Sequence, residues 1–153
     1  MRLTDVLLPE TIVLNLAARE KVSAIQELAT SAAKVSGVRL DDMIRVILER
    51  EKLGSTGIGK GVAIPHGKLK SIRNPILGFG LSQEGGDFDA LDGLPGYLFF
   101  LLITPENEPG VHIKLLSQIA KLMKNDMIKD RLRQSNQPQQ IIDILRSEEE
   151  SIP

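Results

Sequence analysis

Tyr97 to Ile103 reads YLFFLLI, a run with no polar group beyond the tyrosine hydroxyl. It is far too short to cross a bilayer, which takes about 20 apolar residues in a helix. It is also too uniform for a strand with one wet face, which would alternate polar and apolar residues. PILGFGL, Pro75 to Leu81, and GVAIPH, Gly61 to His66, repeat the pattern. All three read as strands covered on both faces, so helices must supply the cover.

The flanking sequence supplies helices. AREKVSAIQELATSAAKVSG places Val22, Ile25, Leu28, Ala29 and Ala32 on one face, with Gly37 as its stop. LDDMIRVILEREK is a second helix, with Asp41 and Asp42 in its first turn and Arg50 and Lys52 in its last, as the helix dipole favours. Gly54 ends it. Ile12 to Leu14 is a brief strand-like run before the first helix. Asp92-Gly93 and Pro95-Gly96 make the turn before YLFFLLI. The loop TPENEPG, Thr104 to Gly110, leads into a helix whose face carries His112, Leu115, Leu116, Ile119 and Met123. NDMIKDRLRQ and PQQIIDILRSEEE form two closing helices, and Glu148 to Glu150 make a short acidic tail. This order predicts a single-domain α/β sandwich over residues 1–153, with a mixed β-sheet flanked by helices. Aromatic residues are only 3% of the chain, so its core is expected to be mostly aliphatic.

Composition narrows the function. A formal net charge of −1 supplies no field for nucleic acid or an acidic membrane surface. The absence of cysteine removes disulfides, thiolate metal sites and a cysteine nucleophile together, and fits a reducing compartment. The N-terminus carries Asp5 and Glu10 inside its apolar stretch and lacks the long core of a signal peptide. The expectation is a soluble cytoplasmic protein without membrane insertion or nucleic-acid partner.

GSTGIGKG, Gly54 to Gly61, comes within one residue of a phosphate-binding P-loop. The final Ser or Thr that would hold Mg²⁺ is Gly61. The context is also reversed, because the segment leaves a helix and enters a strand. A P-loop needs a helix N-terminus at the phosphates. A glycine turn is the simpler reading, and such a turn can still aim N–H groups at an anion.

The chain has two histidines, His66 and His112, too few without cysteine for a convincing metal site. No G-x-S-x-G elbow supports a serine hydrolase. What is left is histidine as nucleophile, since a neutral imidazole offers a lone pair at neutral pH and can attack phosphorus. Pro65 fixes the approach to His66, Val62 and Ile64 face away from Ala63, and Gly67 leaves room and an N–H for a phosphoryl group. His66 is expected at the C-terminal end of its strand, where α/β sheets place ligands. A hydrogen-bonded strand-end histidine explains the spacing equally well. His112 shares an apolar stripe, as a core histidine would, yet sits in a first helical turn where an anion is welcome. Arg50 either ends its helix or neutralises phosphate oxygens. Ser55 suits the turn, and Thr56 either caps it or donates to a ligand.

Glu49-Arg50-Glu51, Gly54-Ser55-Thr56-Gly57-Ile58-Gly59 and Ala63-Ile64-Pro65-His66-Gly67 together resemble the signature of type-2 IIA domains of the bacterial phosphotransferase system. These are the fructose/mannitol and nitrogen-regulatory IIA proteins. The resemblance runs without a gap from Glu49 to Gly67 and continues more loosely through FDALDGLPGYLFFLLITP and VHIKLLSQIAKLM. Pro95-Gly96-Tyr97 departs from the family's usual β-branched and polar residues, away from the histidine motif.

The resemblance implies that His66 is the phosphorylated nucleophile, charged by the phosphocarrier HPr. It implies that His112 helps hold the phosphoryl group and that Arg50 neutralises its charge. Thr56 and Gly67 are supporting candidates, and Ile58 and Val62 candidates for an apolar docking rim. No cofactor or metal is implied, because the donor is another phosphohistidine. The acceptor is a IIB domain in sugar uptake, or a regulated protein in a nitrogen-type relay. A chain without a fused IIB domain leans to the regulator. A binding module that no longer turns over is a further alternative.

Overall fold

Strands β1 (Leu7–Val13), β2 (Gly57–Gly59), β3 (Val62–Ala63), β4 (His66–Leu69), β5 (Ile76–Gly86) and β6 (Gly96–Pro105) form one sheet in a computed structural model, which describes residues 1–151. Five helices cover it: α1 (Lys21–Ser36), α2 (Leu40–Glu51), α3 (Pro109–Leu122), α4 (Asp126–Arg133) and α5 (Pro138–Ser151). The strand order is β1-β5-β6-β3-β2, with β4 also paired to β6. The pairs of β1 with β5, and of β3 and β4 with β6, are parallel. β5 with β6 and β2 with β3 are antiparallel, so the sheet is mixed, as expected.

The continuous apolar runs follow from cover on both faces. Alternate residues of β6 point to opposite sides. Leu98, Phe100 and Leu102 join a core with α3, α4 and α5, and Phe99, Leu101 and Ile103 join a core with α1 and α2. Val62 and Ile64 fall in the first core and Ala63 in the second, the expected opposition. Among the described residues, no helix is long and apolar enough to cross a membrane.

Several boundaries differ from the sequence reading: β5 runs on from Leu81 to Gly86, α1 begins only at Lys21, and four further changes bear on the site or its frame. GVAIPH is interrupted: β3 stops at Ala63 and β4 begins at His66. The register does not slip across the break, since Val62 pairs with Leu98 and His66 with Leu102. Pro65, which has no N–H to give a ladder, makes the interruption, while its carbonyl still accepts from Leu102 N at 3.0 Å. His66 therefore opens a strand instead of ending one. The first strand spans Leu7–Val13, longer than Ile12 to Leu14, and Pro9 is tolerated because β1 is an edge strand with an irregular register between Leu7 and Ile12. Thr104 and Pro105, assigned above to a loop, belong to β6. Glu148 to Glu150 continue α5. The Glu149 carboxylate accepts from Leu3 N at 2.6 Å, Thr4 N at 3.1 Å and Thr4 Oγ1 at 2.8 Å. It so satisfies amides of the short 3-10 turn Leu3–Asp5.

Candidate active site

His66 and Thr104 come from neighbouring parallel strands, and His112 from the first turn of the helix that follows. In the β4–β6 pairing, His66 lies opposite Leu102 and Lys68 opposite Thr104. All four positions share one parity, so they face the layer that holds α3. Gly67 takes the other parity, towards α2. α3 begins with Pro109 at its first position and places His112 one turn in, next to the end of β6. The imidazoles of His66 and His112 meet there, with ring centroids 5.3 Å apart and planes tilted by 55°.

The ring nitrogens take complementary roles. His66 Nδ1 lies 2.7 Å from the Ile64 carbonyl oxygen, which can only accept. Nδ1 therefore carries the proton, and Nε2 presents the lone pair. His112 Nδ1 is bonded to Thr104 Oγ1, and Thr104 is fully buried. Among the described residues that hydroxyl has no other acceptor, so it donates to Nδ1, and His112 carries its own proton on Nε2. One ring offers a nucleophile and the other a hydrogen-bond donor. An electrophilic group between them would be attacked at its centre and held at its periphery.

Burial keeps both rings neutral. His112 is 5% exposed, and burial, then the nearby His66 and Lys68, depress its pKa to about 4. Burial also lowers the pKa of half-buried His66. The Ile64 carbonyl opposes that shift, Arg50 and Lys68 reinforce it, and Glu51 opposes it.

The other sequence candidates fall into place unevenly. Arg50, at the end of α2, bears on His66 electrostatically, but its Nη1 donates to the Gly54 carbonyl at 2.8 Å. Thr56 is buried, and its hydroxyl donates to the Glu51 carboxylate, which also accepts from Thr56 N at 3.2 Å and pairs with Lys21 Nζ at 3.1 Å. Thr56 thus holds the end of α2 to β2. Ser55 lies in the turn, donating to Phe88 O at 2.9 Å and accepting from Gly57 N at 3.0 Å. Gly67 serves a close approach: a Cβ there would sit 2.8 Å from Val46 Cγ2 of α2. Ile58 is exposed, as a docking rim requires, whereas Val62 is 2% exposed and belongs to the core.

The near P-loop is a β-hairpin. Gly59, Lys60 and Gly61 all have positive φ, at 88°, 55° and 83°. The anion that its backbone meets is internal, since Lys60 N donates to Asp92 Oδ2 at 2.8 Å. Thr104 is the site residue that sequence reasoning missed. Its one signal was its place directly after YLFFLLI, eight residues before His112.

Residues 5–148 match the family described as the phosphoenolpyruvate-dependent sugar phosphotransferase system, EIIA 2. The chain belongs to this family. This IIA chain is 41% identical over 145 residues to a nitrogen regulatory protein from Bradyrhizobium diazoefficiens, covering 95% of each. It is 37% identical over 148 residues to a fructose-specific EIIABC component from Bacillus subtilis, covering 95% of this chain and 23% of that longer protein. The crystal structure of nitrogen regulatory protein IIA-Ntr from Neisseria meningitidis matches with a TM-score of 0.88 at 33% identity, over 93% of this chain and 97% of that one. IIA mannitol from Escherichia coli has the same fold, with a TM-score of 0.76 at 23% identity, over 89% of this chain and 96% of that one. The chain is thus a IIA-type phosphocarrier closely related to nitrogen regulatory IIA proteins, and a phosphotransfer protein by family.

Proposed function

We propose that His66 is the residue that carries the phosphoryl group, taken from an HPr-type phosphocarrier in the cytoplasm. The observation that carries this reading is the pair of ring contacts, His66 Nδ1 to the Ile64 carbonyl and His112 Nδ1 to the Thr104 hydroxyl, from which complementary tautomers follow. The His66 Nε2 lone pair forms the new N–P bond as the donor's N–P bond breaks, and the broken bond's electron pair returns to the donor ring. The Nδ1 proton stays on the ring throughout, donated to the Ile64 carbonyl. His112 Nε2–H and Arg50 stabilise the phosphoryl oxygens, a preorganised arrangement that needs no ring to move. The donor settles over a rim that includes exposed Ile58.

The whole chain acts as one IIA unit, and its phosphorylation state regulates a partner protein. Similarity to a nitrogen regulatory protein along nearly its full length favours this branch. Delivery to a IIB domain during sugar uptake is the second reading, favoured by the fructose-specific relative.

Intact-mass spectrometry at mildly alkaline pH tests the site. The protein is incubated with phosphoenolpyruvate, enzyme I and HPr, beside His66→Ala. One acid-labile phosphoryl group is expected on the wild type and none on the variant. Full phosphorylation of His66→Ala would refute the assignment.

A further inference from the structure

We propose that Lys68 is a further catalytic residue, an unpaired cation that reaches back along its strand to the phosphoryl group on His66. This rests on the assignment of His66 as the phosphorylated residue. An N-linked phosphoryl group brings close to two negative charges into the site. The groups already facing it answer only part of that charge. His112 is neutral. Arg50 has one of its two terminal nitrogens committed to the Gly54 carbonyl. Glu51, whose charge also reaches His66, adds to the deficit, although Lys21 pairs with it.

Lys68 is placed to supply what is missing. It stands two residues after His66 on β4, so both side chains leave the same face about 7 Å apart. Its register partner is Thr104, the residue that orients His112. Its charge already bears on both imidazoles. It is exposed, and among the described residues the lysines in ion pairs are Lys21 and Lys129. An ammonium on a flexible four-carbon stem, with three donors and no carboxylate to leave, can follow the phosphoryl group from donor ring to His66. Lys68 forms no bond to phosphorus and keeps its protons. It donates hydrogen bonds to oxygens whose charge grows as the N–P bonds exchange.

Two measurements on wild type, Lys68→Gln and Lys68→Arg test this. The first is the rate of phosphorylation by phosphoenolpyruvate, enzyme I and HPr. Lys68→Gln is expected to slow it by about 10-fold or more, with Lys68→Arg recovering most of the loss. The second is a ³¹P titration of each isolated phosphoprotein, in which no donor protein takes part. A cation beside the phosphoryl group favours its dianion, so Lys68→Gln raises the phosphoryl pKa while Lys68→Arg leaves it near the wild-type value. Lys68→Gln should unfold at the wild-type temperature, because no contact is lost. An unchanged ³¹P titration in Lys68→Gln overturns the inference even if the rate falls, since the lysine would then act only in docking. A loss that arginine does not restore also overturns it. Failure of the wild type to gain a phosphoryl group on His66 overturns instead the function on which it rests.

Discussion

The Thr104 hydroxyl proton has one acceptor among the described residues, His112 Nδ1. That single bond decides which nitrogen of His112 carries the ring proton. Thr104→Val keeps the β-branched shape and removes the donor. We expect the other tautomer to become populated, visible in the ¹⁵N shifts of the His112 ring, and phosphoryl acceptance to fall by about 10- to 100-fold, the range for residues that orient a catalytic ligand. The buried, unpaired Nδ1 should also cost about 1–3 kcal/mol of stability. Unchanged ring shifts would show that the threonine does not set the tautomer. At this scale the sequence was partly legible. His66 stood out because proline and glycine flank it, and His112 because it breaks an apolar stripe. Thr104 was hidden in TPENEPG, whose prolines and polar residues read as loop. Pairing with Lys68 across a long sequence separation carries β6 two residues further than local pattern can tell.

Between elements, Gly67 sets how closely α2 can lie on β4. Gly67→Ala puts a methyl 2.8 Å from Val46 Cγ2 and 3.2 Å from the Val46 carbonyl carbon. Overpacking of this kind costs about 1–3 kcal/mol, read as a lower urea midpoint. Val46→Ala in the same chain removes the nearer atom, so the double variant should recover part of the loss, a non-additivity that contact predicts. Strictly additive losses would mean that the helix already has room to shift. The sequence pointed to Gly67 for a different reason, space for a phosphoryl group, because nothing local marks which helix will lie against a strand. The helices themselves were legible from apolar spacing, with Gly37 closing α1, although Val22, expected on its apolar face, is exposed. The strand break at Pro65 was legible only as a fixed φ. Its consequence, an uninterrupted register around a missing N–H, depends on β6.

Across the whole molecule, one sheet divides two mostly aliphatic cores, and the imidazole pair, His112 buried and His66 half-buried, lies at the margin of the α3 side. Their burial ties stability to pH. An unfolded chain takes up a proton on each histidine as pH falls below about 6.5, whereas folded His112 resists until about 4. The depressed pKa therefore contributes nothing unfavourable above about 6.5, and folding loses stability as pH falls from there towards 4. His66 adds a loss of the same sign. Urea midpoints measured across this window should drop, with a shallower slope in His112→Gln. A wild-type midpoint that holds constant through the window would contradict a buried neutral His112. Fold class was legible at this scale because runs apolar on both faces demand two covering layers. Strand order was not, since Leu7 of β1 pairs with Leu77 of β5, far along the chain, and no local pattern records that. The bonds from Glu149 to Leu3 and Thr4 have a topological consequence. With Leu3 and Thr4 bonded to Glu149, a link between those residues would close the intervening polypeptide into a loop, at a seam apart from the histidine pocket.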